Sequence, residues 1–302
     1  MIRAAIDLGT NTCLLLVTEW TEGSGIQKVL RDLTTVVRLG QSVDQNRSLH
    51  PDAMERTLKC LKHYAETVRA AGGDPAATAC VATSQARDAR NGAEFFCRVE
   101  VETGFRFRVI SGAEEARLTF LGALLPGMSA EKSAVIDIGG GSTEIISATD
   151  GTSVDAGAVR FTERYFATDP VSDEEFWSCQ AAIDEALGPF VEWRKKLPPD
   201  VQLVAVAGSA TALAAWFLEL KSWDPAKVDQ VMLSRGDVHR LVEELKWRTV
   251  KERSELPCME PGRADVILAG AMILWRSMEK LNFPTCRISS RGLRYGVLTS
   301  AV

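Results

Sequence analysis

Ala134-Val135-Ile136-Asp137-Ile138-Gly139-Gly140-Gly141-Ser142-Thr143-Glu144-Ile145-Ile146 reads as strand, tight turn, strand. Val135, Ile136 and Ile138 are β-branched strand formers, and Ile145 and Ile146 resume the pattern after the glycines. Three successive glycines leave the turn bare, so backbone N–H groups can approach an anion closely. Asp137 closes the first strand and Glu144 opens the second. Two carboxylates beside a phosphate cradle suit a hard divalent cation, Mg²⁺ or Mn²⁺, that completes its shell with phosphate and water. The plainer alternative is a glycine hairpin with two surface acids.

Toward the N-terminus, Ile6-Asp7-Leu8-Gly9-Thr10-Asn11-Thr12 repeats the grammar: apolar strand, Asp, apolar residue, Gly, small hydroxyl residues. The two aspartates lie 130 positions apart. A repeated hairpin points to duplicated half-domains facing one phosphate site.

A chain of 302 residues is long for one core and favours two domains. Apolar residues make up 46% and charged residues 25%, an ordinary globular balance. The net charge of −5 argues against a nucleic-acid partner, so an anionic substrate must be drawn by local positive charge. Seven cysteines are scattered without a C-x-x-C pair, which fits reduced, mostly buried thiols in cytoplasm. Asp7 interrupts any signal sequence, and the longest apolar run, Val266 to Trp275, is about half a bilayer span, so no membrane partner is expected. There is no G-x-x-x-x-G-K-[ST] loop, no G-x-G-x-x-G and no Ser/His/Asp triad; His50, His63 and His239 stand far apart in surface contexts.

Along the chain, strands alternate with helices, the mark of a mixed or parallel sheet covered on its faces. A strand pattern covers Lys28 to Leu39. Helical periodicity covers Asp52 to Ala71 and Gly92 to Thr103, with strands at Ala77–Ala82 and Arg106–Ser111. Ser111 and Glu114 form a capping-box pattern. That role accounts for Glu114 and leaves Glu115 free at the open end of a strand, where active sites of α/β sheets collect. In the second half, a capping box at Ser172–Glu175 opens a single helix through Lys196. A buried strand, Val201 to Ala207, leads into Gly208-Ser209-Ala210-Thr211, a helix start able to hold an anion. Single helices are expected from Ser234 to Arg253 and from Arg263 to Asn282, then a strand Thr285–Ser290 and a short terminal helix. The domains are read as 1–125 and 126–291, with 292–302 packing back on the first.

With these pieces in place the chain resembles the exopolyphosphatase / guanosine pentaphosphate phosphohydrolase family, within the superfamily of actin, heat-shock chaperone ATPases and sugar kinases. The resemblance spans essentially the whole chain. It rests on Asp7-Leu8-Gly9-Thr10-Asn11, Ser111-Gly112-Ala113-Glu114-Glu115-Ala116, Asp137 to Glu144, Gly208-Ser209-Ala210-Thr211 and Gly292-Leu293-Arg294. It implies an α/β fold of two actin-like (ribonuclease H-like) domains, with the active site in the interdomain cleft. It also implies roles. Glu115 matches the catalytic base, and Asp137 and Glu144 match the metal-binding acids. Asn11, Arg87, Gly139, Gly140, Gly141, Ser142, Gly208, Ser209 and Thr211 match phosphate contacts. Phosphoryl transfer needs a positioned nucleophile and charge stabilisation, which these residue types can supply. The expected activity is hydrolysis of the terminal phosphate of inorganic polyphosphate, in a short form of the family. Alternatives are conversion of guanosine pentaphosphate to tetraphosphate, a superfamily kinase, or a nucleotide-regulated scaffold. The sequence leaves a homodimer open.

Overall fold

The computed structural model describes residues 1–41, 43–260 and 262–300. It divides into two compact units, Met1–Gly122 with Leu293–Val302, and Ala123–Gly292.

The first unit opens with a meander, β1 (Ile2–Leu8), β2 (Thr12–Thr21) and β3 (Gly25–Val36). There follow α1 (Val43–Asn46), α2 (Pro51–Ala70), β4 (Ala79–Ala82), α3 (Ser84–Asp88), α4 (Gly92–Thr103), β5 (Phe107–Val109) and α5 (Gly112–Ala123). The strands lie in the order β3-β2-β1-β4-β5, with β1 antiparallel to β2 and parallel to β4. Helix α2 starts cleanly because Pro51 needs no N–H partner there and the His50 ring accepts from the Asp52 N–H. Its Leu58, Leu61, Tyr64, Ala65 and Val68 recur at helical spacing and pack against Ile6, Leu8, Leu15 and Val17 of the sheet.

The second unit contains β6 (Ser133–Ile138), β7 (Thr143–Ile146), β8 (Gly151–Val154), α6 (Ala158–Tyr165), α7 (Asp173–Ala186), α8 (Gly188–Arg194), β9 (Gln202–Val206) and α9 (Ala207–Phe217). It continues with α10 (Pro225–Val228), β10 (Met232–Ser234), α11 (Arg235–Lys246), α12 (Val250–Ser254), α13 (Ile267–Lys280) and β11 (Thr285–Ile288). Its sheet runs β10-β11-β9-β6-β7-β8. Taken from β8, the first five strands repeat the order of the first sheet, and β10 is an added edge. Helix α13 is buried from Ile267 to Trp275, as an all-round apolar helix must be. The last helix, α14 (Leu293–Ser300), belongs to the first unit, where Leu293, Tyr295, Val297 and Leu298 cover Ala5, Leu16 and Val81.

Several elements differ from the sequence reading. The helix expected from Phe176 to Lys196 is two helices, broken at Leu187-Gly188-Pro189, because Pro189 has no N–H to continue the ladder. The helix expected from Ser234 to Arg253 also breaks. Thr249 and Glu252 form a second capping box that starts α12 afresh. Helix α13 begins at Ile267 rather than Arg263, and β3 starts at Gly25 rather than Lys28. At α5 the Ser111 hydroxyl does accept the Glu114 N–H at 3.2 Å, but the Glu114 carboxylate turns to Arg108.

Candidate active site

In the first unit, the turn after β1 is closed by the Gly9 N–H donating to the Thr12 carbonyl at 2.9 Å. The Asn11 carbonyl accepts from Val37 and Arg38, and the Thr10 carbonyl from Gly40, each at 2.9 Å. The Asn11 side-chain oxygen is buried with no hydrogen-bond partner among the described residues. The neighbouring parallel strand β4 ends beside this turn, with Asp7 in register with Val81 and the Thr83 N–H donating to the Leu8 carbonyl. From there α3 carries Arg87, whose Nη1 donates to the Ile110 carbonyl at 2.8 Å and to Glu115 Oε2 at 2.9 Å. The Glu115 side chain is 15% exposed. Burial raises its carboxyl above the ordinary range, against the lowering effects of Arg87 and Thr83.

Asp7, which was not among the expected site residues, belongs to the same cluster. Its carboxyl is pushed up to about 7, first by burial and then by the charge of Glu115, with Arg294 opposing. Arg294 reaches it from α14. That guanidinium is buried and grips Asp32 on β3 through two hydrogen bonds of 2.8 and 2.9 Å. The signal for Asp7 was the hairpin repeat itself; nothing local announces Arg294 with Asp32, 262 residues apart.

In the second unit, Asp137 lies directly opposite Glu144 in the antiparallel pair β6–β7. Residues so paired send their side chains to one face of the sheet. Glu144 is buried and accepts from the Ser153 hydroxyl at 2.7 Å. Gly139 N–H donates to the Ser142 carbonyl at 3.0 Å, closing the turn. The carbonyls of Gly139 and Gly140 are taken by the first N–H groups of α6, at 2.9–3.0 Å. Among the described residues the N–H groups of Gly140, Gly141 and Ser142 have no backbone partner outside the sheet ladders. Gly157 backs the turn so closely that a Cβ there would sit 2.3 Å from the Gly140 carbonyl oxygen.

The parallel neighbour β9 ends beside the glycine turn, with Asp137 in register with Val206, and delivers Gly208 to Thr211 at the start of α9. The N–H groups of that first turn lack helical partners. The Ser209 hydroxyl packs over Gly270 of α13. Thr211 Oγ donates to the Ala207 carbonyl at 3.1 Å and retains acceptor capacity. Arg263 was also missed. Its guanidinium lies across Gly208, where a Cβ would be 1.4 Å from Nη1, and it is held by Glu260. Only a glycine admits that approach.

Among the described residues no three His, Cys, Asp or Glu side chains converge as a metal cluster. Asp137 and Glu144 thus offer two carboxylates on one face, the set expected for a cation that also binds phosphate and water.

Residues 16–302 match the Ppx/GppA phosphatase family. The chain belongs to that family. It is 35% identical over 287 residues to exopolyphosphatase 2 of Mycobacterium tuberculosis, covering 90% of this chain and 88% of that one. Among solved structures, an exopolyphosphatase from Cytophaga hutchinsonii superposes with a TM-score of 0.89 at 25% identity, covering 100% and 97% of the two chains. The type II variant of the Aquifex aeolicus Ppx/GppA phosphatase gives 0.76 at 29% identity, with 99% of each chain covered. Similarity in fold alone extends to an ethanolamine utilization protein of Carboxydothermus hydrogenoformans, with a TM-score of 0.50 at 13% identity. The architecture is therefore that of the actin-like ATPases, and as a Ppx/GppA phosphatase the protein is a hydrolase of phosphoric anhydrides.

Proposed function

We propose that the protein is an exopolyphosphatase that removes the terminal phosphate of inorganic polyphosphate by in-line attack of water. The observation that carries this reading is Asp137 facing Glu144 across a bare glycine turn with unpaired amides. The Mycobacterium tuberculosis relative, an exopolyphosphatase by name, supports the substrate class. Asp137 and Glu144 would hold Mg²⁺ or Mn²⁺, which supplies positive charge to the phosphoryl oxygens.

Glu115 takes the proton of the attacking water. Its burial makes it a stronger base than an exposed glutamate, while Arg87 keeps it oriented. The water oxygen bonds to phosphorus as the bridging P–O bond breaks, releasing orthophosphate and a shortened chain. Arg87, the amides of Gly140, Gly141 and Ser142, and the first-turn amides at Gly208 and Ser209 offset the charge spread over the phosphoryl oxygens. Gly139 serves by its bareness, since its N–H closes the turn. Asn11 supplies its orphaned side-chain oxygen or, by rotation of the amide, its NH₂. We place the enzyme in the cytoplasm, in keeping with seven free cysteines of which five are buried.

The test is phosphate release from long polyphosphate, tripolyphosphate and guanosine pentaphosphate side by side, with chelated metal as the blank. Polyphosphate cleavage without any acceptor supports the proposal. Release from guanosine pentaphosphate alone would move the substrate to the nucleotide, and a requirement for an acceptor would make the protein a kinase.

A further inference from the structure

A long polyanion needs cations beyond those at the reacting phosphate. The sequence gathers positive charge at Arg160 and Arg164, Arg194 to Lys196, and Arg287, Arg291 and Arg294. Most of these are engaged locally. Arg160 pairs with Asp155, Lys195 with Glu192, Lys196 with Asp150, Arg291 with Asp229 and Arg294 with Asp32. Arg194 covers the Phe283 ring, and Arg287 donates to the Asp229 carbonyl.

Arg47 and Arg90 are different. Both are exposed, and neither guanidinium has a hydrogen bond or ion pair with another described residue. Their backbones are tied together by the Arg90 N–H donating to the Arg47 carbonyl at 3.0 Å. The adjacent Asn91 side chain clamps the same loop, accepting from the Leu49 N–H at 2.8 Å and donating to its carbonyl at 3.1 Å. Two residues joined in this way have Cα atoms roughly 5–6 Å apart, so both side chains leave from neighbouring points. Arg90 follows Arg87 by three residues, which puts its Cα within about 11 Å of that of the proposed phosphate contact. Arg47 also has φ 53°, a left-handed conformation that glycine adopts far more readily. Asp88 is the nearest acid in the α3 segment, and Glu94 lies on the first turn of α4.

We propose that Arg47 and Arg90 form an accessory polyanion subsite, holding internal phosphates of a polyphosphate chain whose terminal phosphate lies at Arg87 and Glu115. The inference rests on the exopolyphosphatase reading and extends it to chain-length preference.

The test compares Arg47→Gly, Arg90→Gln and the double variant with the wild type, with metal chelated so that nothing turns over. Dissociation constants are measured for long-chain polyphosphate and for tripolyphosphate over a range of salt. The double variant should bind long chains ~5–20-fold more weakly, with a salt slope shallower by about 1.4, taking about 0.7 per contact by analogy with single-stranded nucleic acid. Tripolyphosphate affinity should not change. Arg47→Gly should melt no lower than wild type, since glycine removes the φ penalty, so lost binding cannot be blamed on lost folding. Equal losses for both ligands, or none for long chains, would overturn the subsite. So would losses confined to single-stranded RNA. The proposed activity is judged separately: a wild type that releases no phosphate from polyphosphate refutes the activity, whereas the subsite stands or falls on metal-free binding alone.

Discussion

The turns after β1 and β6 share one backbone plan and are loaded differently. Both are closed by an N–H to C=O bond three residues on, Gly9 to Thr12 and Gly139 to Ser142. Both have an aspartate seven residues before its cross-strand partner. In the second unit that partner is Glu144, and in the first it is Leu14. A carboxylate facing a carboxylate is the arrangement that the proposed function gives to a divalent cation. The first turn has an apolar residue there, and its Asp7 feels the charges of Glu115 and Arg294 instead. The same backbone plan occurs twice, and single side chains make the two copies differ: Glu144 faces Asp137 in one, Leu14 faces Asp7 in the other.

Removing the base should have the largest effect. Glu115→Gln should lower kcat ~10²–10⁴-fold with an unchanged circular dichroism spectrum, whereas Glu114→Gln, which disturbs only a pair with Arg108, should stay close to wild type. Near-normal turnover of Glu115→Gln would strip the first turn of its chemical role. Next in size, Asp137→Asn should raise the metal concentration for half-activation by ~10–100-fold. Glu144→Leu, which copies the first turn's pattern into the second, should act in the same direction. Identical metal titrations for all three proteins would erase the proposed contrast.

The backing glycines probe the scaffold. A Cβ at Gly157 would press on turn backbone at 2.3 Å, whereas one at Gly40 would press on the side chains of Thr10 and Gln85 at 2.4 and 2.6 Å. Side chains can give way more than backbone. Gly157→Ala should therefore cost more stability than Gly40→Ala, both within ~1–3 kcal/mol by chemical denaturation. The reverse order would mean that the two turns are not equally rigid.

The smallest effect is on pH dependence. Asp7 titrates at about 7 in the fold against 3.8 for an ordinary aspartate. A raised carboxyl contributes stability that is fully present below the unfolded value and is lost as pH rises through the folded one. Metal-free protein should therefore lose about 1 kcal/mol across neutrality, and Asp7→Asn should flatten that slope. A wild-type profile already flat across neutrality would show that Asp7 is not held in its neutral form.

Much of this was legible in the sequence because it is local. The two hairpins, a strand over about Val201–Ala207, the capping box at Ser172 and the helix start at Ser234 follow from short-range pattern. Helix breaks were missed where apolar periodicity runs on across Pro189 and Thr249, since periodicity reports a buried face and not the continuity of the backbone. Arg87 and Glu115 could each be named, but their contact depends on β4 and β5 being parallel neighbours. Arg263 over Gly208 and Arg294 on Asp32 are products of tertiary packing and leave no sequence signal.

The placement of α14 has a consequence for how the protein is made. The second unit is one uninterrupted run of chain, whereas the first needs both its opening residues and residues beyond Gly292. On a ribosome, domains ordinarily ripen in the order of their synthesis. Here β1, β2 and β4 are made before α14, so Ala5, Leu16 and Val81 stay uncovered and Asp7 lacks the charge of Arg294 while the second unit forms. Helix α14 acts as a clasp that closes the first unit only after the whole second unit has been made.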